Sequence, residues 1–207
     1  MKKTIILISL LSLITFFGNT QTTENLDYVS TFNEGLAAVK KGNQWAFINT
    51  NGQLVINFRS DLVSTESEDG TYPIFKNGRC LIEEKKEGIS YYGYIDITGK
   101  EIIEPQFLNA TNFKDEVAIV IYLVSEVLGK NNLLGKDMVN YKYFEVAIDL
   151  QGAIITYLTK EGTTIILDKK SLKKSPAITS RLISKNLIAV KMENNKWTIK
   201  KIEDQSL

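Results

Sequence analysis

The sequence predicts an all-β fold: tandem repeats of antiparallel β-hairpins or meanders behind an N-terminal signal helix. Three observations predict it. An aromatic, two polar residues, a glycine and a short apolar strand return along the chain as a unit. A second pattern follows each copy and ends in a tight turn. Side chains alternate with the period of two that belongs to strands. With 43% hydrophobic residues in 207, the chain has material for a sizeable core and is not of disordered composition.

Residues 1–20 come first. Lys2 and Lys3 precede an apolar run over residues 5–17, interrupted by Ser9, Ser12 and Thr15, and Gly18, Asn19 and Thr20 follow. This is the layout of a secretory signal peptide, with cleavage expected near Thr20 and Gln21. The run of 13 residues falls short of the roughly 20 that a helix needs to cross a bilayer, so no stable membrane span is expected after cleavage. No Cys lies beside the site, which argues against a lipoprotein. The expected location is therefore periplasmic or extracellular.

Three units over residues 21–159 follow, at about 28–71, 72–109 and 110–159. Phe32-Asn33-Glu34-Gly35-Leu36-Ala37-Ala38-Val39 returns as Phe75-Lys76-Asn77-Gly78-Arg79-Cys80-Leu81-Ile82. It returns again as Phe113-Lys114-Asp115-Glu116-Val117-Ala118-Ile119-Val120, with Glu116 where the glycine should be. Trp45-Ala46-Phe47-Ile48-Asn49-Thr50-Asn51-Gly52 matches Tyr92-Gly93-Tyr94-Ile95-Asp96-Ile97-Thr98-Gly99, and Glu145-Val146-Ala147-Ile148-Asp149-Leu150-Gln151-Gly152 follows more loosely. An Asn or Asp three residues before Gly is a type I turn signature, and an apolar strand comes after each.

Trp45 and Phe47 share one strand face and Ala46 and Ile48 the other; Tyr92 and Tyr94 repeat that parity opposite Gly93 and Ile95. Small Ala46 and Gly93 suit a face that meets another backbone closely. In the third unit an enlarged loop over residues 125–142 is expected, because Gly129, Asn131, Asn132, Gly135 and Asn140 interrupt the apolar pattern. Residues 160–207 read as a degenerate C-terminal repeat or cap: 163–167 is a strand candidate, Lys169, Lys170, Lys173 and Lys174 form a solvated basic stretch, and 187–191 with 197–199 echo a unit.

Over residues 28–113 these patterns resemble the WG-repeat family, also called KWG repeats, of bacterial and often exported proteins. Tyr92-Gly93-Tyr94-Ile95-Asp96, Gly99-Lys100 and Ile102-Ile103-Glu104-Pro105-Gln106-Phe107 carry the resemblance most closely. The first unit departs from it in Ala46 and in lacking a proline after Ile56. The resemblance implies a β-rich repeat scaffold and no particular activity, cofactor or catalytic residue.

The composition removes most chemistry. Without His there is no Ser/His/Asp or Cys/His nucleophile, and one Cys makes neither a zinc ribbon nor a disulfide. Cys80, between apolar neighbours, reads as a small buried side chain. Gly129-Lys130-Asn131-Asn132-Leu133-Leu134-Gly135-Lys136-Asp137 has one residue too many between its glycines for a phosphate loop, and Asp137 stands where Ser or Thr is needed. Residues 64–70 are acidic without calcium-loop spacing and read as a solvated turn. Asp96 and Asp149 share a turn position with Asn49, which a proton-transfer role does not tolerate.

No enzymatic activity, catalytic residue, metal or cofactor is therefore expected. Removal of residues 1–20 leaves 23 basic and 24 acidic residues, so nothing points to nucleic acid. The expectation is a binding or protein-interaction module with an unidentified protein partner, or else a structural cell-envelope component or a module for a cell-wall or surface glycan. The candidate interaction surface is Tyr91, whose parity is opposite to the core aromatics, with Lys130, Asn131, Asn132 and Lys136 of the enlarged loop.

Overall fold

The computed structural model describes residues 24–131, 135–192 and 194–202; the expected signal helix of residues 1–20 lies outside them. The described residues contain no helix and form antiparallel sheets.

The first sheet is a four-stranded meander of β1 (Tyr28–Val29), β2 (Leu36–Lys41), β3 (Gln44–Asn49) and β4 (Leu54–Arg59). A small hairpin, β5 (Thr65–Ser67) and β6 (Gly70–Tyr72), separates it from the second sheet of β7 (Cys80–Lys86), β8 (Ile89–Ile95) and β9 (Glu101–Phe107). The third sheet orders β10 (Asn109–Ala110), β11 (Ala118–Asn131), β12 (Lys136–Ile148) and β13 (Ile154–Tyr157), with β14 (Thr163–Ile165) also on β12. The fourth is β15 (Arg181–Ser184), β16 (Leu187–Lys191) and β17 (Trp197–Lys201). The acidic stretch expected as a solvated turn is thus a hairpin. Thr31 Oγ1 donates to its Asp69 at 2.6 Å and the Tyr72 hydroxyl donates too, and these bonds hold the Asp69 carboxyl below its ordinary range.

From the first sheet to the third the chain passes from sheet to sheet without a long linker. Directly after β4, Val63 N–H donates to Leu81 O at 3.1 Å and Glu83 N–H to Asp61 O at 2.8 Å, so residues 61–63 edge the second sheet. Directly after β9, β10 pairs with β11. One run of chain closes one sheet and opens the next, which stacks the sheets face to face.

Strand parity then assigns the core side chains to three successive interfaces. Trp45, Phe47 and Ala38 of the first sheet meet Cys80, Ile82 and Ile95 of the second. Leu81 and Tyr94 on its other face meet Ala118, Val120, Val146 and Ile148 of the third. Val117, Ile119 and Ala147 then meet Ile188 and Val190 of the fourth. Each large side chain buried this way is worth about 1.5–3 kcal/mol, so every sheet depends on its neighbours. Cys80 lies in the first interface, where burial raises its thiol well above the usual range and leaves it inert.

The turns follow the repeat. Glu34-Gly35, Asn77-Gly78 and Asp115-Glu116 all have positive φ at both central positions, as a type I′ hairpin requires. They also stack: the Asn77 and Gly78 N–H groups donate to the Glu34 carboxylate at 2.6 and 2.8 Å, and Glu116 N–H donates to Asn77 Oδ1 at 3.1 Å. Glu116 holds φ +68° with a side chain in place of the glycine found in the other two copies. Glu116→Gly keeps the backbone bond to Asn77 and removes the left-handed strain, so it is expected to stabilise the protein by about 1 kcal/mol, read as a higher midpoint in urea unfolding at unchanged slope.

The turn before each third strand has the expected caps. The Oδ1 atoms of Asn49, Asp96 and Asp149 each accept two backbone N–H groups at 2.8 to 3.1 Å. Burial pushes the Asp96 carboxyl up, but bonds from Thr98 and Lys100 outweigh it and hold it below the carboxylate range. An ionised acceptor of N–H bonds is a turn cap, and Asn does the same work.

The small residue of the second strand has a local cause. Between the partners of Tyr94 and Tyr92, β9 runs from Ile103 to Phe107, four steps against two, and the excess backbone folds over Gly93. In the first sheet β4 takes three steps, from Ile56 to Arg59, against Phe47 and Trp45, and the residue beneath is Ala46. In the third, Thr156 pairs with Ala147 and Leu158 N–H donates to Glu145 O, two steps against two, and the residue is Val146. The longer the bulge of the third strand, the smaller the side chain it can cover.

Candidate functional site

The most exposed departure from the repeat is in the third sheet. In the first two sheets the hairpin between the first long strand and its neighbour closes at Lys41 opposite Gln44 and Lys86 opposite Ile89. In the third, β11 and β12 stay paired from Ala118 opposite Ile148 out to Asn131 opposite Lys136. The expected loop over residues 125–142 is therefore a two-stranded arm. Val120, Ile121, Tyr122 and Val124 favour strand on one side, and Tyr141, Tyr143 and Phe144 do so on the other. The Gly and Asn residues that suggested a loop occur at the bulge near Gly129, around the tip and within β12.

The root of the arm is anchored. β14 pairs with Tyr141, Lys142 and Tyr143, and Ile121, Leu123, Tyr143, Ile165 and Leu172 pack together there. Residues 165–178 form a strap over this cluster, tied down where Asn109 Nδ2 donates to Pro176 O at 2.8 Å. Tyr91 belongs to the same cluster. It is half-buried, burial raises its phenol pKa, and the Lys86 ammonium sits 5.7 Å from its ring centroid. The expectation that Tyr91 is exposed is corrected: its parity turns it away from the inter-sheet core, but the strap covers that side.

Beyond the root the arm is bare. Val127 is 64% exposed, Leu128 62%, Met138 47% and Val139 39%. Lys130 is exposed near the end of β11, and Asn131 and Lys136 are the last and first residues of the two strands; Asn132 lies outside the described residues. The structure thus places Lys130, Asn131 and Lys136 together at the far end and Tyr91 at the root. The four apolar residues between are what the sequence reading missed, and their signal was a pair of apolar runs, Val127-Leu128 and Met138-Val139, on the two sides of the tip, offset by the one residue of the bulge.

Trp45, Tyr94 and Trp197 do not share an exposed patch that could serve a glycan. Trp45 and Tyr94 are buried, and Trp197 is exposed on the open face of the fourth sheet. Trp197 pairs with Lys191 as Trp45 pairs with Lys40, so it occupies the same place in the unit. Arg181 covers its ring at 5.1 Å, and Lys191 and Lys201 share the face by register. Like charges on this face disfavour the stacking of a further sheet on it. The near-neutral total also hides an uneven distribution, since residues 165–202 contain ten Lys or Arg and two acids.

Clefts offer little chemistry. One, of about 520 Å³, lies between the first two sheets, where Arg59 donates to both oxygens of Asp61 at 2.6 Å and to Gly99 O at 3.1 Å. Among the described residues no three Cys, Asp or Glu gather as a metal site requires, and no helix is long and apolar enough to cross a membrane.

Stacked antiparallel sheets of three to five strands, the second and third opened by chain leaving the sheet before, define a β-repeat protein. The family profile described as WG containing repeat matches residues 25–45, 45–80 and 92–121, which take in the first sheet, the second from Tyr92 onward and the approach to the third, and leave out residues 81–91. The chain belongs to the WG-repeat family. No curated protein and no solved structure matches it.

Proposed function

We propose that this WG-repeat protein is an exported, non-enzymatic interaction module of the periplasm or extracellular space, and that the β11–β12 arm is its docking element. The observation that carries this reading is the arm itself: a rigidly rooted ribbon with four large apolar side chains in solvent, where the sibling units turn back after two residues. An isolated ribbon is marginal on its own, and exposed apolar clusters of this kind mark contact surfaces. The charge and apolar run of residues 1–20 support export.

The test places a photo-crosslinking residue at Val127 in producing cells, with Ile97, 51% exposed on the second sheet's turn, as control. One reproducible adduct from Val127 and none from Ile97 is expected, on a chain whose N-terminus lies near Gln21. Equal capture from both positions overturns the docking role, and an intact N-terminus on cytoplasmic protein overturns export.

A further inference from the structure

The outer face of the fourth sheet is open and carries one sign of charge. By register, Trp197, Ile199 and Lys201 of β17 share this face with Lys191 of β16 and Arg181 of β15, while Ile188 and Val190 point into the stack. Trp197 is 49% exposed and Ile199 63%, and among the described residues no further sheet covers them. The β16–β17 turn adds Met192, 48% exposed, and exposed Lys196. β15, β16 and β17 contain no Asp or Glu. Residues 181–202 carry six Lys or Arg and one acid, Glu193, which lies outside the described residues. Asp115, Glu116 and Asp149 line a cleft with Lys185 at the β15–β16 turn, the opposite end of β16 from Lys191. Charge is balanced at that end and unbalanced around Trp197.

This combination selects the partner. A soluble polyanion engages the cations but gains nothing from Ile199 and Met192, and a neutral apolar partner gains nothing from Arg181, Lys191 and Lys201. An anionic bilayer matches both: each Lys or Arg near its surface raises affinity about fivefold, Trp settles at the headgroup level, and aliphatic side chains reach the acyl boundary. Three short strands present these side chains in one layer, as a planar partner requires. Arg181, 5.1 Å over the Trp197 ring, carries a cation to the depth at which the indole would sit. We propose that the outer face of the fourth sheet is a peripheral membrane-binding site that seats the protein on anionic phospholipid, with Trp197 and Ile199 entering the interface and Arg181, Lys191 and Lys201 meeting the headgroups.

The chain from Gln21 onward, which lacks the apolar run of residues 1–20, is mixed with vesicles of phosphatidylglycerol and phosphatidylcholine, and with vesicles of phosphatidylcholine alone. Flotation with the anionic vesicles only is expected, weakening as salt rises. A blue shift of Trp emission is expected with it, and it reports Trp197, because Trp45 is already buried. Lys191→Ala with Lys201→Ala is expected to lower affinity about 25-fold at unchanged circular dichroism, and Trp197→Ala to abolish the shift. Lys170→Ala with Lys174→Ala removes the same charge from exposed positions of the strap and is expected to leave affinity unchanged. Absence of binding, a loss in the strap variant equal to that in the sheet variant, or binding with unshifted Trp emission overturns the proposal. Soluble polyglutamate bound as tightly as the vesicles overturns it too, since the face would then read acidic chains and not a bilayer.

Discussion

Replacing Gly93 by alanine is expected to destabilise the protein by about 3 kcal/mol, and to lower its melting temperature by about 9 °C. A Cβ at this position would lie 2.3 Å from Ile103 O, 2.7 Å from Pro105 N and 2.8 Å from Glu104 C. All three are backbone atoms of β9, the strand already paired to β8, so no rotamer change relieves the clash. Relief needs β9 to move, and its Ile103 and Phe107 belong to the interface with the third sheet. The second sheet sits in the middle of the stack, so a shift there weakens the contacts on both of its faces.

Two controls separate this account from general intolerance. Ala46→Gly, at the same place in the first sheet, meets no clash but loses one buried methyl group and adds chain entropy, and is expected to cost about 1–2 kcal/mol. Deleting Gln106 from the Gly93→Ala variant shortens the bulge from four steps to the three that cover Ala46, and recovery of at least half of the lost melting temperature is expected. A Gly93→Ala protein that melts like the wild type would falsify the account, and absence of recovery in the deletion would locate the clash elsewhere than in bulge length.

This relation also shows where sequence reading succeeds. The alternation of Trp45 with Phe47 and of Tyr92 with Tyr94, and the Asn or Asp before each turn, are local signals with one physical meaning, and the sheets use them as read. Small Gly93 pointed to a close backbone, though not to the strand that supplies it. Tyr91 could not be placed, because what covers it is a strap some eighty residues further along the chain. The arm was read as a loop because Asn and Gly are counted there as breakers; in a hairpin they are tolerated at a tip and at a bulge while cross-strand pairing holds the rest. The ladder from Glu34 to Asn77 to Glu116 is equally invisible in one copy of the repeat, since each acceptor serves the turn of the next unit.

Glu145→Ala is expected to cost about 3 kcal/mol and to release the fourth sheet before the others. Glu145 stands where the first two units have Trp45 and Tyr92, and the loss of the aromatic looks like decay of the repeat. Its side chain is instead buried and fully used: Thr179 N–H and Thr179 Oγ1 donate to one carboxylate oxygen at 2.8 Å, and Ser180 N–H donates to the other at 2.9 Å. These bonds seize the chain as it returns from the strap and set the start of β15. Trp in this place could accept none of them, and Tyr has one oxygen where the carboxylate has two. Truncation leaves the donors without a partner, one of them on buried Ser180, and each such loss costs about 1–3 kcal/mol. Glu145→Gln keeps the oxygen facing Thr179 but turns an amide N–H₂ toward Ser180 N–H, so an intermediate loss near 2 kcal/mol is expected. Hydrogen exchange is the informative measurement: in Glu145→Ala, amides of β15 to β17 are expected to lose protection while those of β7 to β9 keep theirs. Uniform loss along the whole stack would mean that the fourth sheet is an integral part of one cooperative unit and that Glu145 does not act as its separate clamp.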